Sequence, residues 1–297
     1  MDNTTLVLVH GFWSSTATWH KLARRLGDDP RLAGLRLHSF GYESPRLRLP
    51  LSWTRIPDYH DIAQSLSAEL TFRVPHGDLV LATHSQGGLI VQRFLAWMAN
   101  EGRARELARI RLIIMLACPN QGSDYGRSIR RMTGFGRHAQ ARDLQTLSAD
   151  VAAAQRTVQR QIVAAIRLSD RECPIPIHAY AGRSDNIVRR PSAQGGFTHV
   201  STIPGNHFSI LDPEAKGNIT AAVISGLIRQ TAGAAPSQLE PPPANYPLSA
   251  APAPGTKFAV SIGEARAVMI GDGNTQINDG SRRSADMDPV DGLPPED

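Results

Sequence analysis

Cysteine is nearly missing from this chain. Its 297 residues hold two, Cys118 and Cys173, too few and too far apart for a disulfide framework or a paired-cysteine redox or zinc site. There is no His-Glu-x-x-His pair and no Walker loop. The Gly-x-Gly pairs at Gly134 and Gly271 lack the third glycine and the strand-to-helix setting of a nucleotide cradle. Neither metal nor cofactor is expected. No apolar run approaches the roughly 18 residues of a spanning helix. No basic-plus-apolar leader precedes the first apolar strand, so the reading is cytoplasmic. Lysine occurs only at Lys21, Lys216 and Lys257. Arginine replaces it throughout, which points to a high-GC bacterial genome more than to a local site. Aromatic residues make up only 6%, so the 41% hydrophobic content is largely aliphatic side chains and alanine. That suffices for one large domain with a sizeable core.

Charge and composition then divide the chain. The formal net charge is +5, but from Glu240 onward nine acidic residues face four basic ones, leaving +10 for everything before. A basic body with an acidic tail can serve nucleic-acid binding, yet no interleaved aromatics or reading module accompany it, and no nucleic acid is expected. Between Ala234 and Gly255 seven prolines stand among alanines and serines. Such a stretch holds neither helix nor sheet and reads as an extended linker, on the order of 70 Å when stretched. The expected organisation is a catalytic domain over 1–232, a linker over 233–257 and an acidic tail over 258–297.

Chemistry concentrates around one serine. The apolar run Leu79 to Ala82 breaks at Thr83-His84-Ser85-Gln86-Gly87-Gly88, then resumes at helical spacing through Ile90, Val91, Phe94, Leu95 and Met98. This predicts a strand, a sharp turn with Ser85 at its apex, and a helix, the form of a nucleophile elbow. Thr83 stands where the common pattern has glycine. The helix N-terminus would offer the backbone N–H of Gln86 to a developing oxyanion. About 75 residues earlier, the buried-strand pattern Leu6 to Val9 ends in His10-Gly11-Phe12. There Phe12 would supply a second N–H.

An acid and a base should follow in the order Ser, Asp, His. Asp185 lies beyond the expected strand Ile177 to Tyr180, at the edge where open α/β sheets place reactive groups. His207 follows in Pro204-Gly205-Asn206-His207, ahead of a helix expected to start at Asp212-Pro213 with Ile219, Val223 and Leu227 on one face. Asp170 and Asp212 are the rival acids: the first precedes the strand and the second is read as the helix cap. His84 reads as packing, and His20, His60, His76 and His138 as surface or helix-face residues. With Ser85, His207 and Asp185 together, the hydroxyl would lose its proton to the imidazole and the carboxylate would hold the imidazole's tautomer. Trp13 and Trp19 either line an acyl pocket or belong to the core.

His10-Gly11-Phe12, Thr83 to Gly88 and Ala117-Cys118-Pro119-Asn120-Gln121-Gly122-Ser123 together resemble the α/β-hydrolase superfamily. The closer likeness is to its lipase-like branch containing the GPI-inositol deacylases, where threonine before the His-Ser pair is familiar. The resemblance covers roughly residues 4 to 230. It implies a doubly wound, mostly parallel α/β sheet and ester hydrolysis through an acyl-enzyme, with water or another alcohol as acceptor. Residues 123–168 interrupt the sheet where such folds carry lids. They begin with an arginine-rich stretch and continue in a helical pattern through Leu144, Leu147, Val151, Val158 and Ile162. Those arginines either meet an anionic lipid surface or form an ordinary solvated face.

The tail holds Val268-Met269-Ile270-Gly271, then Asn274 and Gln276, two β-prone runs without proline around a Gly-Asp-Gly turn. Residues 265–278 resemble the amyloid signalling motifs of NLR-associated effectors and the RIP homotypic interaction motif, with Met269 where glutamine is usual. That resemblance implies self-assembly or an NLR-type receptor as partner, a membrane lipid ester as target, and recruitment to the inner face of the membrane. A hairpin on the domain and a disordered tail are the other readings of this segment. The rivals for the whole chain are a housekeeping carboxylesterase or acyltransferase with an incidental tail, and a scaffold without catalysis.

Overall fold

The computed structural model describes residues 3–11, 14–42, 59–120, 141–233, 268–270 and 275–277, with the backbone alone at 141–148, at 232–233 and in the last two segments. The chain separates into two units, Met1–Glu240 and Pro241–Asp297.

The first unit is built on six strands: β1 (Thr4–Val9), β2 (Arg36–Phe40), β3 (Asp78–His84), β4 (Ile110–Leu116), β5 (Ile177–Gly182) and β6 (His199–Ile203). They pair in the order β2-β1-β3-β4-β5-β6, and every described pairing is parallel. The order reverses between β1 and β3, so the sheet is doubly wound, as expected. Helices α2 (Tyr59–Phe72), α3 (Gly87–Asn100) and α4 (Ala141–Val158) cover one face, packing on Val7, Val9, Leu79, Leu81, Ile113 and Met115. On the other face, α1 (His20–Gly27) and α6 (Thr220–Gly233) pack on Leu6, Leu8, Val80, Ala82, Leu112 and Ile114. Strands buried on both sides have no solvent face, which is why Leu6 to Val9 in β1 and Leu112 to Leu116 in β4 are unbroken apolar runs.

Several boundaries differ from the sequence reading. The last helix begins at Thr220, not at Asp212-Pro213. Gly217 takes φ +74 and interrupts the chain, and the Asn218 side chain then accepts from the Thr220 N–H as the cap. Asp212 instead accepts from the Glu214 N–H and pairs with Lys21. The buried face of α6 is accordingly Ile224 and Ile228, while Ile219 is exposed. In the 123–168 segment the expected helix is α4. Val151, Ala154, Val158 and Ile162 pack into the main core, and residues 121–140 lie outside the described residues. Between them, α5 (Arg190–Gln194) is a short helix after the Asp185 loop.

In the second unit, β7 (Val268–Ile270) and β8 (Thr275–Ile277) form an antiparallel pair with Val268 opposite Ile277 and Met269 opposite Gln276. Gly271 and Asn274 lie outside the described residues.

Candidate active site

The turn between β3 and α3 is forced by its neighbours. Ser85 holds φ 53, a left-handed conformation costly for a side chain-bearing residue. Its N–H donates to the Leu116 carbonyl at 3.0 Å, tying the apex to β4. A Cβ on Gly87 would stand 2.5 Å from the Val9 carbonyl oxygen and 2.7 Å from that of His10; one on Gly11 would meet Ser85 Cβ at 2.8 Å. Both positions must be glycine for β1 and the elbow to touch. Thr83 is tolerated because its side chain turns toward Cys118, with Oγ1 3.3 Å from Sγ. The same sulfur would lie 2.6 Å from a Cβ on Gly88. Enclosed there, the Cys118 thiol is pushed up to about 12 by burial, so it stays protonated.

The elbow lies where the strand order reverses, at the C-terminal ends of β1 and β3. β5 and β6 bring two more loops to that edge. The Arg183 N–H donates to Ile203 O and the Ser184 N–H to Gly205 O, so the two loops run side by side. Gly182 allows this, since a Cβ there would stand 2.8 Å from Gly205 O. Asp185 and His207 thus meet. The His207 Nδ1–H donates to Asp185 Oδ2 at 2.9 Å, because a carboxylate can only accept. The other carboxylate oxygen accepts the Ile187 and Val188 N–H groups at 2.8 and 2.9 Å. With its proton on Nδ1, His207 presents a free lone pair on Nε2, 3.0 Å from Ser85 Oγ. The Ser85 hydroxyl can donate into it. Asp185 and His207 side chains are almost fully buried, at 0% and 3% exposed, so their mutual field is little screened.

The other named residues sort as follows. Gln86 precedes α3, and no described group accepts from its backbone N–H. Its side chain is held by the Tyr59 hydroxyl, which donates to Oε1 at 2.9 Å. Phe12 and Trp13 lie outside the described residues. Trp19 is packed in the core with Leu22 and Leu26 and is 0% exposed. The rival acids are engaged elsewhere: Asp170 with Arg105 at 2.6 Å, and Asp212 with Lys21.

Some contributors escaped the sequence reading. Tyr42 stacks on His10 at 4.1 Å and donates its hydroxyl to the His10 carbonyl. His10 in turn donates from Nδ1 to Gly11 O at 2.8 Å, bracing the turn; burial lowers its pKa. Gln92 donates to Asn120 Oδ1, and Asn120 donates to Ala193 O at 2.6 Å, fastening the chain after β4 to α5. Phe208, 63% exposed, stands edge-on to the His207 ring at 5.2 Å. Tyr42, Gln92 and Phe208 belong to no motif, and only proximity reveals them; His10 and Asn120 stand in the quoted motifs, but their contacts do not show in the sequence. A crevice of about 180 Å³ between Leu70, Phe94 and Arg109 lies at the opposite edge of the sheet, by the starts of β3 and β4. Among the described residues no three His, Cys, Asp or Glu side chains converge to hold a metal.

No curated protein matches this sequence. Solved structures of similar fold include RedJ, a thioesterase of the prodiginine pathway of Streptomyces coelicolor, at 18% identity over 75% of this chain and 85% of that one (TM-score 0.46). Another is a lipase-esterase related protein of Clostridium acetobutylicum, at 12% identity over 77% and 94% (TM-score 0.46). A third is the thioesterase domain NocB of the nocardicin cluster, at 18% over 78% and 95% (TM-score 0.44). The alpha/beta hydrolase family profile matches residues 6–216. That match runs from the first core strand past His207 and so takes in every element that carries the site: this chain belongs to the alpha/beta hydrolase family.

Proposed function

We propose that the protein hydrolyses carboxylic esters through an acyl-enzyme on Ser85. The observation that carries this reading is the unbroken chain from Ser85 Oγ through His207 to Asp185, with links of 3.0 and 2.9 Å. Ser85 Oγ attacks the ester carbonyl as its proton passes to His207 Nε2, and the Asp185 carboxylate stabilises the imidazolium. The oxyanion is met by the Gln86 N–H and, by the sequence reading, that of Phe12. Each such donor typically lowers the barrier by ~3 kcal/mol. His207 then protonates the departing alcohol, and water attacks the acyl-enzyme through the same base. The exposed Phe208 ring beside His207 supports an apolar group on the substrate, such as a lipid acyl chain. Fluorophosphonate should label the wild type, and Ser85→Ala or His207→Ala should abolish labelling and lower ester turnover by about 10⁴-fold or more. A wild type that never labels would defeat the reading.

The tail favours a second layer. In β7 and β8, Val268, Ile270, Thr275 and Ile277 lie in a two-stranded pair with no third strand among the described residues. Such edges can add further strands. On this reading the catalytic unit is an effector gathered by residues 265–278 on a matching segment, either a second copy or an NLR-type receptor. Gathering raises local concentration without new contacts in the site. Deleting residues 258–297 should leave turnover within about two-fold while abolishing thioflavin-positive fibres; loss of turnover would overturn the modular arrangement.

A further inference from the structure

His84 is the last residue of β3, directly before the nucleophile, and only 3% of it is exposed. Its Nε2 lies 2.7 Å from the His207 backbone carbonyl oxygen. A carbonyl oxygen can only accept, so Nε2 carries the hydrogen and His84 is fixed in one tautomer. Its Nδ1 has no hydrogen-bond partner among the described residues. The Trp19 ring meets it edge-on with centroids 6.5 Å apart, and the His207 ring lies 4.9 Å away at 47°. Pure packing does not call for this residue. An aliphatic side chain would fill the space without burying an unpartnered nitrogen, whose desolvation is costly.

We propose that His84 is a positioning residue for the base: it anchors the backbone of His207 to the strand that carries the nucleophile. This rests on the reading of Ser85 and His207 as nucleophile and base. Consecutive residues of one elbow then hold the base at two points, Ser85 at the ring and His84 at the backbone, while Asp185 holds the far side of the ring. The anchor matters because β6 ends at Ile203 and His207 stands four residues beyond it, outside the sheet ladder. It also places no second positive charge beside the imidazolium. Burial above all, with His207 and His10 adding to it and Asp185 opposing, lowers the His84 pKa to about 3, so the ring stays neutral.

The test combines kinetics on p-nitrophenyl acetate with imidazole ¹⁵N NMR of the full chain. His84→Leu should lower kcat and the fluorophosphonate labelling rate by about 10- to 100-fold, as expected of a misplaced base. KM should stay within about two-fold. His84→Gln, whose amide restores a donor, should recover most of that loss. A leucine variant with wild-type kcat, or a glutamine variant as impaired as leucine, would overturn the proposal. In the wild type, NMR should find His84 neutral and protonated on Nε2 from pH 8 to pH 5; a ring that titrates near its ordinary value, or carries its proton on Nδ1, would overturn it too. The NMR result needs neither turnover nor a folded leucine variant. It therefore decides the contact even where a wild type without labelling has defeated the hydrolase reading.

Discussion

A histidine that stays neutral inside the fold binds fewer protons than the same residue in the unfolded chain. For His84 the folded value is about 3 against an ordinary 6.5, so across that interval the unfolded state takes up a proton that the native state refuses. Stability therefore falls as pH drops below about 6.5 and is flat above it, since it rises with pH wherever the unfolded state binds more protons. His10 and His178, both lowered by burial, act in the same direction. Carboxylates held low by their partners, such as Glu106 beside Arg103, contribute only further down, as pH falls through their own range. The window from pH 7 to pH 5 thus isolates the histidines. Denaturant titrations there should show a loss of about 1–2 kcal/mol, given 1.4 kcal/mol per pH unit for one proton. The slope should be visibly shallower in His84→Gln, and an unchanged slope would mean that His84 titrates normally. None of this was legible in the sequence, where His84 read as packing. Its neighbours Gly87 and Ser85 announced themselves because their spacing encodes a turn. The reach of the imidazole to a carbonyl 123 residues away encodes nothing local.

Elements show the same division. β1 and β3 were legible because each is covered on both faces and must be apolar at nearly every position. β2 and β6 were not, since they lie at the two ends of the sheet, leave all but their last residue exposed or half-buried, and read as mixed segments such as Arg-Leu-His-Ser-Phe. The start of α6 was misread because Asp212-Pro213 carries a good helix-start signal, while the later Gly217 and Asn218 decide where the helix begins. Glycines, too, separate by what surrounds them. Gly87 faces the backbone of β1, which cannot move without breaking its ladder, so Gly87→Ala should abolish labelling and lower the Tm by several degrees. Gly226 in α6 has nothing within 4 Å of an added Cβ. There alanine should stabilise the fold by about 0.5–1 kcal/mol through helix propensity. A Gly87→Ala protein that melts and labels like the wild type would show that the elbow has more room than its contacts allow.

At the scale of the whole molecule, the sequence by itself determined the sharp turn at Ser85, the buried strands and the chain order of Ser85, Asp185 and His207, and it carries the proline-rich composition that begins near residue 234. Each is a local signal: a turn needs small residues at fixed offsets, a doubly covered strand needs continuous apolarity, and closely spaced prolines forbid regular pairing. The tertiary structure decided the rest. It brought Asp185 and His207 together by running β5 beside β6, and set His207 against a serine 122 residues away. It sent Trp19 to the core, gave Asp170 and Asp212 to cationic partners, and set the His84 imidazole against the His207 backbone carbonyl. Contacts across such separations depend on strand order and loop register. Those follow from how all the apolar faces are buried at once, not from any one stretch of residues.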